Sequence, residues 1–294
     1  MDQRLADFWN NACLTAGHTG YGDPLLHRYD QPVRLATVDR ILGLLFPLGL
    51  LGKAALDIGC GTGDFIALLR SHNATVTGLD ISPRVIDVTR QRFAGNDKVT
   101  LLCGPVVDAA LPPASFDLVT SVTVLQHIVD DDELIRSLRT VRRALKPDGR
   151  MILLELAPPH AAPVAEVLGG TSYLLERPPH IWHEAFAKVG LTVLDEPVMP
   201  QLGISLLRGL GWGIVAIRRL CRSSKGRQEL GGTGGQRGVE EKQLSTARRI
   251  RRAGVAVMRR MLLTGAWPFD HFFRVPLPPR RWRHYRVFVL GIAR

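Results

Sequence analysis

Cysteine and aromatic residues are scarce in this chain: 4 Cys, 4 Tyr and an aromatic share of 6% in 294 residues. Cys13, Cys60, Cys103 and Cys221 lie far apart, with no C-x-x-C pair. That spacing argues against a disulfide framework or a zinc site and makes a reducing cytoplasm the expected compartment. Long apolar runs are lacking too. The run 41–51 is interrupted by Pro47 and is too short to cross a bilayer, so packing into a core is its expected role. The start, Met1-Asp2-Gln3-Arg4, has early charges and no apolar stretch, so no secretory signal is expected.

Acidic residues are the other shortage, but only locally. The formal net charge is +11, and residues 201–283 hold 18 of the 38 Lys+Arg against 4 of the 27 Asp+Glu. The remaining sequence is slightly acidic, so the basic character belongs to one segment and does not make the whole chain a nucleic-acid binder. At 46% hydrophobic residues, the length suits one large domain or a domain carrying an insertion.

The densest signal is Leu56-Asp57-Ile58-Gly59-Cys60-Gly61-Thr62-Gly63-Asp64-Phe65, followed by Asp80. Apolar 54–58 predicts a buried strand, the glycines a tight turn, and 65–70 the start of a helix. A second strand, 74–80, ends on Asp80, where a carboxylate can accept both hydrogen bonds of a ribose diol. By spacing alone, dinucleotide and adenosyl cofactors compete. The compact G-C-G-T-G lacks the third glycine of the dinucleotide fingerprint and is preceded by Asp57.

This stretch resembles motif I of the class I S-adenosylmethionine-dependent methyltransferases. The likeness continues in Gly78-Leu79-Asp80-Ile81-Ser82, in Ser115-Phe116-Asp117-Leu118-Val119, and in Leu145-Lys146-Pro147-Asp148-Gly149-Arg150 leading into 151–155. The resemblance implies S-adenosyl-L-methionine as cofactor and an α/β fold, a doubly wound seven-stranded mostly parallel sheet of order 3-2-1-4-5-7-6 whose last strand is antiparallel. It divides the chain into a helical lid (1–52), a Rossmann-like core (53–200), a basic helical insertion with a Gly-rich linker (201–283) and a final core strand (284–294).

For the cofactor the resemblance implies Gly59, Cys60, Gly61 and Gly63 at the methionine part, Asp57 orienting the loop or engaging the amino group, and Asp80 with Ile81 at the ribose and adenine. Asp108 matches the acidic residue at the adenine amine, and Ser121 and Val122 lie beneath the methionine portion. Because the sulfonium leaves readily, alignment and exclusion of water are the main tasks. His127, after the fourth strand, is the candidate general base, with packing near the pocket as the alternative. His18 and Tyr21 in the lid, and His180 and His183 further on, are candidates for the acceptor side. Asp130, Asp131, Asp132 and Glu133 read as a helix first turn facing the dipole and not as a metal site.

In order, the sequence predicts a helix over 33–45, strands at 53–59, 74–80, 99–103 and 116–122, a helix capped by Ser82 with Pro83 at its first position, a helix ending near Leu145, a turn at 146–150, a strand at 151–156, a helix ending at Gly190, and strands at 191–197 and 285–292. Between the last two strands, Arg208, Arg218, Arg219 and Arg222 decorate one apolar segment, and Arg248, Arg249, Arg252, Arg259 and Arg260 another. Such segments suit an anionic membrane surface or a lipid-linked or phosphorylated substrate, or else form a cap whose arginines are solvated. The expected activity is methyl transfer to a small molecule, to oxygen on a sugar, lipid-linked glycan or secondary metabolite. N-methylation, RNA methylation and cofactor binding without turnover are the alternatives.

Overall fold

The computed structural model describes residues 3–16, 24–158, 163–168, 171–197, 199 and 285–293, all within one compact unit formed by Met1–Met199 and Pro278–Arg294. The basic segment 201–283, with its two arginine-bearing stretches, lies outside the described residues, as do His18 and Tyr21. No described helix is long and apolar enough to cross a membrane.

Two helices come first, α1 (Gln3–Ala16) and α2 (Pro24–Leu45). Strands and helices then alternate: β1 (Ala54–Ile58), α3 (Asp64–Ser71), β2 (Thr75–Asp80), α4 (Pro83–Arg92), β3 (Val99–Cys103), β4 (Phe116–Val122), α5 (Asp131–Ala144) and β5 (Leu145–Leu156). A hairpin, β6 (Val164–Leu168) with β7 (Thr171–Glu176), precedes α6 (Pro179–Lys188), β8 (Leu191–Asp195) and β9 (Tyr285–Ile292). The main sheet runs β3-β2-β1-β4-β5-β9-β8, with β6 and β7 paired separately. Counting only its own seven strands, the order is 3-2-1-4-5-7-6, as expected. Strand β9 runs antiparallel to both neighbours.

The central strands are apolar because both faces are covered. Leu56, Ile58, Leu118, Val119, Ile152 and Leu153 are fully buried, and α5 lays Leu134, Leu138 and Val141 against one face. Ser82 caps α4 as predicted: its Oγ accepts from the Val85 N–H at 3.1 Å, with Pro83 at the first helical position. Asp130 caps α5 likewise, accepting from the Glu133 N–H at 2.7 Å, so the acidic run is a helix start.

Four local expectations change. Helix α2 begins at Pro24 and carries Pro32 inside it, whereas the periodicity marks only the part after Pro32. The β6–β7 hairpin is unforeseen, and within the expected helical lid the bounds of α1 are new. The turn at 146–150 is a bulge within β5: Leu145 pairs with Phe116 and Arg150 with Leu118. Finally, packing accounts for only part of 41–51. Ile41, Leu42 and Leu50 are buried, but Leu44, Leu48 and Leu51 are 71%, 97% and 80% exposed.

Candidate active site

At the carboxyl ends of β1, β2 and β4 opens a cleft with about 1100 Å³ of empty space counted out to its mouth, where open α/β sheets place their ligands. Its floor is the turn after β1. There Gly59 has φ 65°, and a Cβ on it would lie 2.2 Å from Val124 Cγ2, so no other residue fits. Cys60 and Gly61 continue the floor. Gly63 does not line the cleft. It caps α3 at φ 89°, with the Phe93 ring where its Cβ would be, so its glycine serves the turn.

Asp80 closes β2 and is held by backbone donors: Gly61 N–H to Oδ2 and Ser82 N–H to Oδ1, each 3.0 Å. A carboxylate has about four acceptor sites, so two bonds leave room for a diol. Burial pushes its pKa up while the backbone N–H groups of Ser82, Gly61 and Ile81 pull it down. Thr89 of α4 donates to the Gly61 carbonyl at 2.6 Å, which fixes the same loop from the other side. Beside Asp80, Ile81, Pro105 and Val106 form an apolar wall.

Asp57 stands behind the loop, 2% exposed, its Oδ1 receiving the Thr120 hydroxyl at 2.7 Å. Burial drives its pKa up to about 7; the Thr120 bond opposes that, and the neighbouring Asp80 and Asp64 charges reinforce it. Glu155, fully buried at the end of β5, is likewise pushed up to about 8 by burial, against the pull of three backbone N–H groups and Arg34. Both acids therefore hold protons more tightly folded than unfolded. Their contribution to stability is full below about pH 4 and is lost as pH rises through 7 and 8, each costing on the order of 4–5 kcal/mol by pH 9. Chemical denaturation should accordingly give a less stable chain at pH 9 than at pH 5.5, and Asp57→Asn should flatten that difference. An unchanged slope would contradict the assignment.

Among the described residues, Asp57 Oδ2 and Ser121 Oγ are buried without a hydrogen-bond partner. Ser121 sits inside β4, between Ile58 and Leu153, and does not line the cleft, whereas Val122 does. Asp108 is exposed and outside the lining; Val106, two residues earlier, supplies that turn's contribution.

The far wall comes from the N-terminal helices. Leu5 and Trp9 of α1 and His27, Gln31 and Arg34 of α2 face the cleft. Asn10 accepts from the Ser82 hydroxyl at 2.6 Å, and Gln31 donates to Asp64 at 3.1 Å, which ties both helices to the cofactor side. The Trp9 ring meets His127 edge-on at 5.0 Å, and His127 lines the cleft. His180 and His183 depart from the acceptor-side expectation. Both are exposed and neither lines the cleft; His183 Nε2 lies 2.7 Å from Glu196 and its ring packs edge-on against Phe288, a structural contact.

Sequence reasoning missed Trp9, Arg34, Thr123 and Glu155. A signal for the last was present, since an acid inside the apolar run 151–157 is costly unless its environment uses it.

Residues 56–153 match the family model described as a methyltransferase domain. Over 111 residues the chain is 35% identical to demethylmenaquinone methyltransferases of Staphylococcus aureus strains MRSA252 and JH9, a stretch covering 37% of this chain and 45% of theirs. The chain thus spans under half the length of these curated relatives. In fold it resembles a SAM-dependent methyltransferase of Leishmania major (TM-score 0.52, 17% identity, covering 67% of this chain and 75% of that one). It also resembles the [4+2]-cyclase SpnF (TM-score 0.51, 17% identity, 87% and 81%). The fold is similar to that of a SAM-dependent methyltransferase. Residues 56–153 are thus similar to a methyltransferase domain.

Proposed function

We propose that the chain binds S-adenosyl-L-methionine and directs its methyl group to a small molecule, with an oxygen on a sugar, lipid-linked glycan or secondary metabolite as the target. The observation that carries this reading is the acidic, apolar-walled cradle around Asp80. Asp57, Asp64 and Asp80 gather three carboxyl groups here, the last two raising the Asp57 pKa, a grouping that suits a ligand bearing an ammonium and a sulfonium better than a pyrophosphate. Asp80 would take the ribose hydroxyls, Ile81, Pro105 and Val106 would flank a flat heterocycle, and Gly59 and Gly61 would let the backbone approach the amino-acid tail.

When bound, the cofactor supplies a methyl group on a good leaving group, so the chain has to orient, desolvate and deprotonate. Leu5, Trp9 and Ile128 supply apolar cover at the mouth. His127 is the group able to take the proton of an acceptor hydroxyl, with Trp9 against its ring. Basic residues 201–283 would bring the domain to an anionic surface or a lipid-linked acceptor, from the cytoplasmic side. A second reading, transfer to demethylmenaquinone itself, is favoured by the 111-residue likeness.

Incubation of the full chain with methyl-tritiated cofactor and three pools (hydroxylated small molecules, a lipid extract containing quinones and lipid-linked glycans, and total RNA) tests the acceptor class. Label should enter a small-molecule or lipid product; label in RNA alone would overturn the small-molecule reading.

A further inference from the structure

The loop between β4 and α5 is held from several directions at once. Thr123 has φ 57°, a conformation a β-branched residue rarely adopts. Its N–H donates to the Leu154 carbonyl at 2.6 Å, and its hydroxyl accepts from Arg34 Nη1 at 2.9 Å. The next backbone N–H groups converge on one side chain. Val124 and Leu125 donate to Glu155 Oε1 at 3.1 and 2.9 Å, and Gln126 to Oε2 at 3.3 Å. The Gln126 side chain in turn accepts from the Leu156 N–H at 3.0 Å. His127 follows directly and faces the cleft.

This loop touches both halves of the site. The Val124 side chain occupies the space over Gly59, and His127 lies against Trp9 of α1. Arg34 fastens two further elements to it, pairing with Asp30 on α2 and donating Nη2 to the Tyr285 hydroxyl of β9 at 3.0 Å. A buried carboxylate at this place is costly, and an apolar residue would pack in its stead. What the carboxyl group provides, and an apolar residue would not, is a set of acceptor oxygens for consecutive N–H groups that the strained turn leaves without helix partners.

We infer that Glu155 is a positioning residue: by fixing the backbone of 124–126 it sets where His127 stands relative to Gly59, and Arg34 clasps the same loop through Thr123. The inference rests on the reading of His127 as the group that faces the acceptor. Without the anchor, Thr123 relaxes to negative φ and carries His127 away from Trp9, while the sheet and the Asp80 cradle persist.

Proton NMR of the full chain with labelled histidine tests this, because the Trp9 ring current displaces the His127 ring protons from their random-coil positions; Trp9→Leu identifies the resonance. In Glu155→Leu, which removes both acceptor oxygens, the displacement should collapse, with S-adenosylhomocysteine affinity by calorimetry kept within roughly threefold and cooperative unfolding retained. A purely structural role would lower the unfolding midpoint and leave the ring shift in place, which would overturn the inference. Should Glu155→Leu fail to fold, Arg34→Lys decides: it keeps a charge near Asp30 but shortens the reach to Thr123, so an unmoved His127 resonance there contradicts the positioning role. Failure of the unaltered chain to bind S-adenosylhomocysteine would instead overturn the cofactor reading, and the ring shift would still judge Glu155.

Discussion

Asp80→Ala should weaken S-adenosylhomocysteine binding roughly a hundredfold, the equivalent of about 2.7 kcal/mol. The carboxylate ends β2 at the cleft floor, and each oxygen is already aimed by a backbone N–H, from Gly61 and from Ser82. Hydrogen bonds to a charged acceptor contribute more than neutral ones, and a ribose diol makes two. Alanine also releases the Gly61 and Ser82 N–H groups, so part of the loss would come from a loosened loop. Asp80→Asn separates the two effects, because the amide oxygen can still hold one N–H but the charge is gone. Calorimetry of both variants should rank the unaltered chain above Asn and Asn above or equal to Ala. Equal affinity in all three would remove the ribose assignment.

The second large effect concerns Gly59. Gly59→Ala should destabilise the fold by about 3 kcal/mol, combining overpacking at about 1–3 kcal/mol with a left-handed backbone at about 1–2 kcal/mol. The clash is specific, because all three nearest atoms to the added Cβ belong to the Val124 side chain, at 2.2, 2.7 and 2.9 Å. Val124→Ala removes two of them. The double variant should therefore recover the overpacking part but not the backbone part, and denaturant titrations of the double-mutant cycle should show a favourable coupling of about 1–2 kcal/mol. Strict additivity would mean that Gly59 is required by its backbone angle alone.

Much of this architecture can be read locally. Strands β3, β4 and β9 start and end where the sequence predicts them. They are apolar runs bounded by turns, and in a sheet covered on both faces such runs have few other places to go. The Ser82-Pro83 start of α4 is legible for the same reason, since a cap and a fixed φ act within one turn. Pro32 misleads, because a residue that removes one intrahelical bond suggests a boundary, yet α2 continues through it once its flanks are held by the ion pair of Asp30 with Arg34 and by contacts to α3. The leucines of 41–51 look alike in sequence, and only the path of the chain decides which of them face water.

The site divides along the same line. The cofactor side, Gly59 to Asp80, is compact in sequence and therefore legible there, although Asp57, Gly63, Ser121 and Asp108 fall outside the cleft lining. The acceptor side is assembled from afar. Arg34 reaches Thr123 across 89 positions and Tyr285 across 251, and Glu155 reaches back about thirty to the loop it anchors. No local pattern encodes contacts of that span.

The most direct test of the central claim is a calorimetric titration of S-adenosylmethionine into the full chain, run beside the same titration with NAD. The account predicts saturable binding of one adenosyl cofactor per chain and none of the dinucleotide. A cationic ligand favours ionised Asp57, so affinity should climb as pH rises toward about 7 and level off above it. Tight uptake of NAD together with no heat from S-adenosylmethionine at any pH would contradict it.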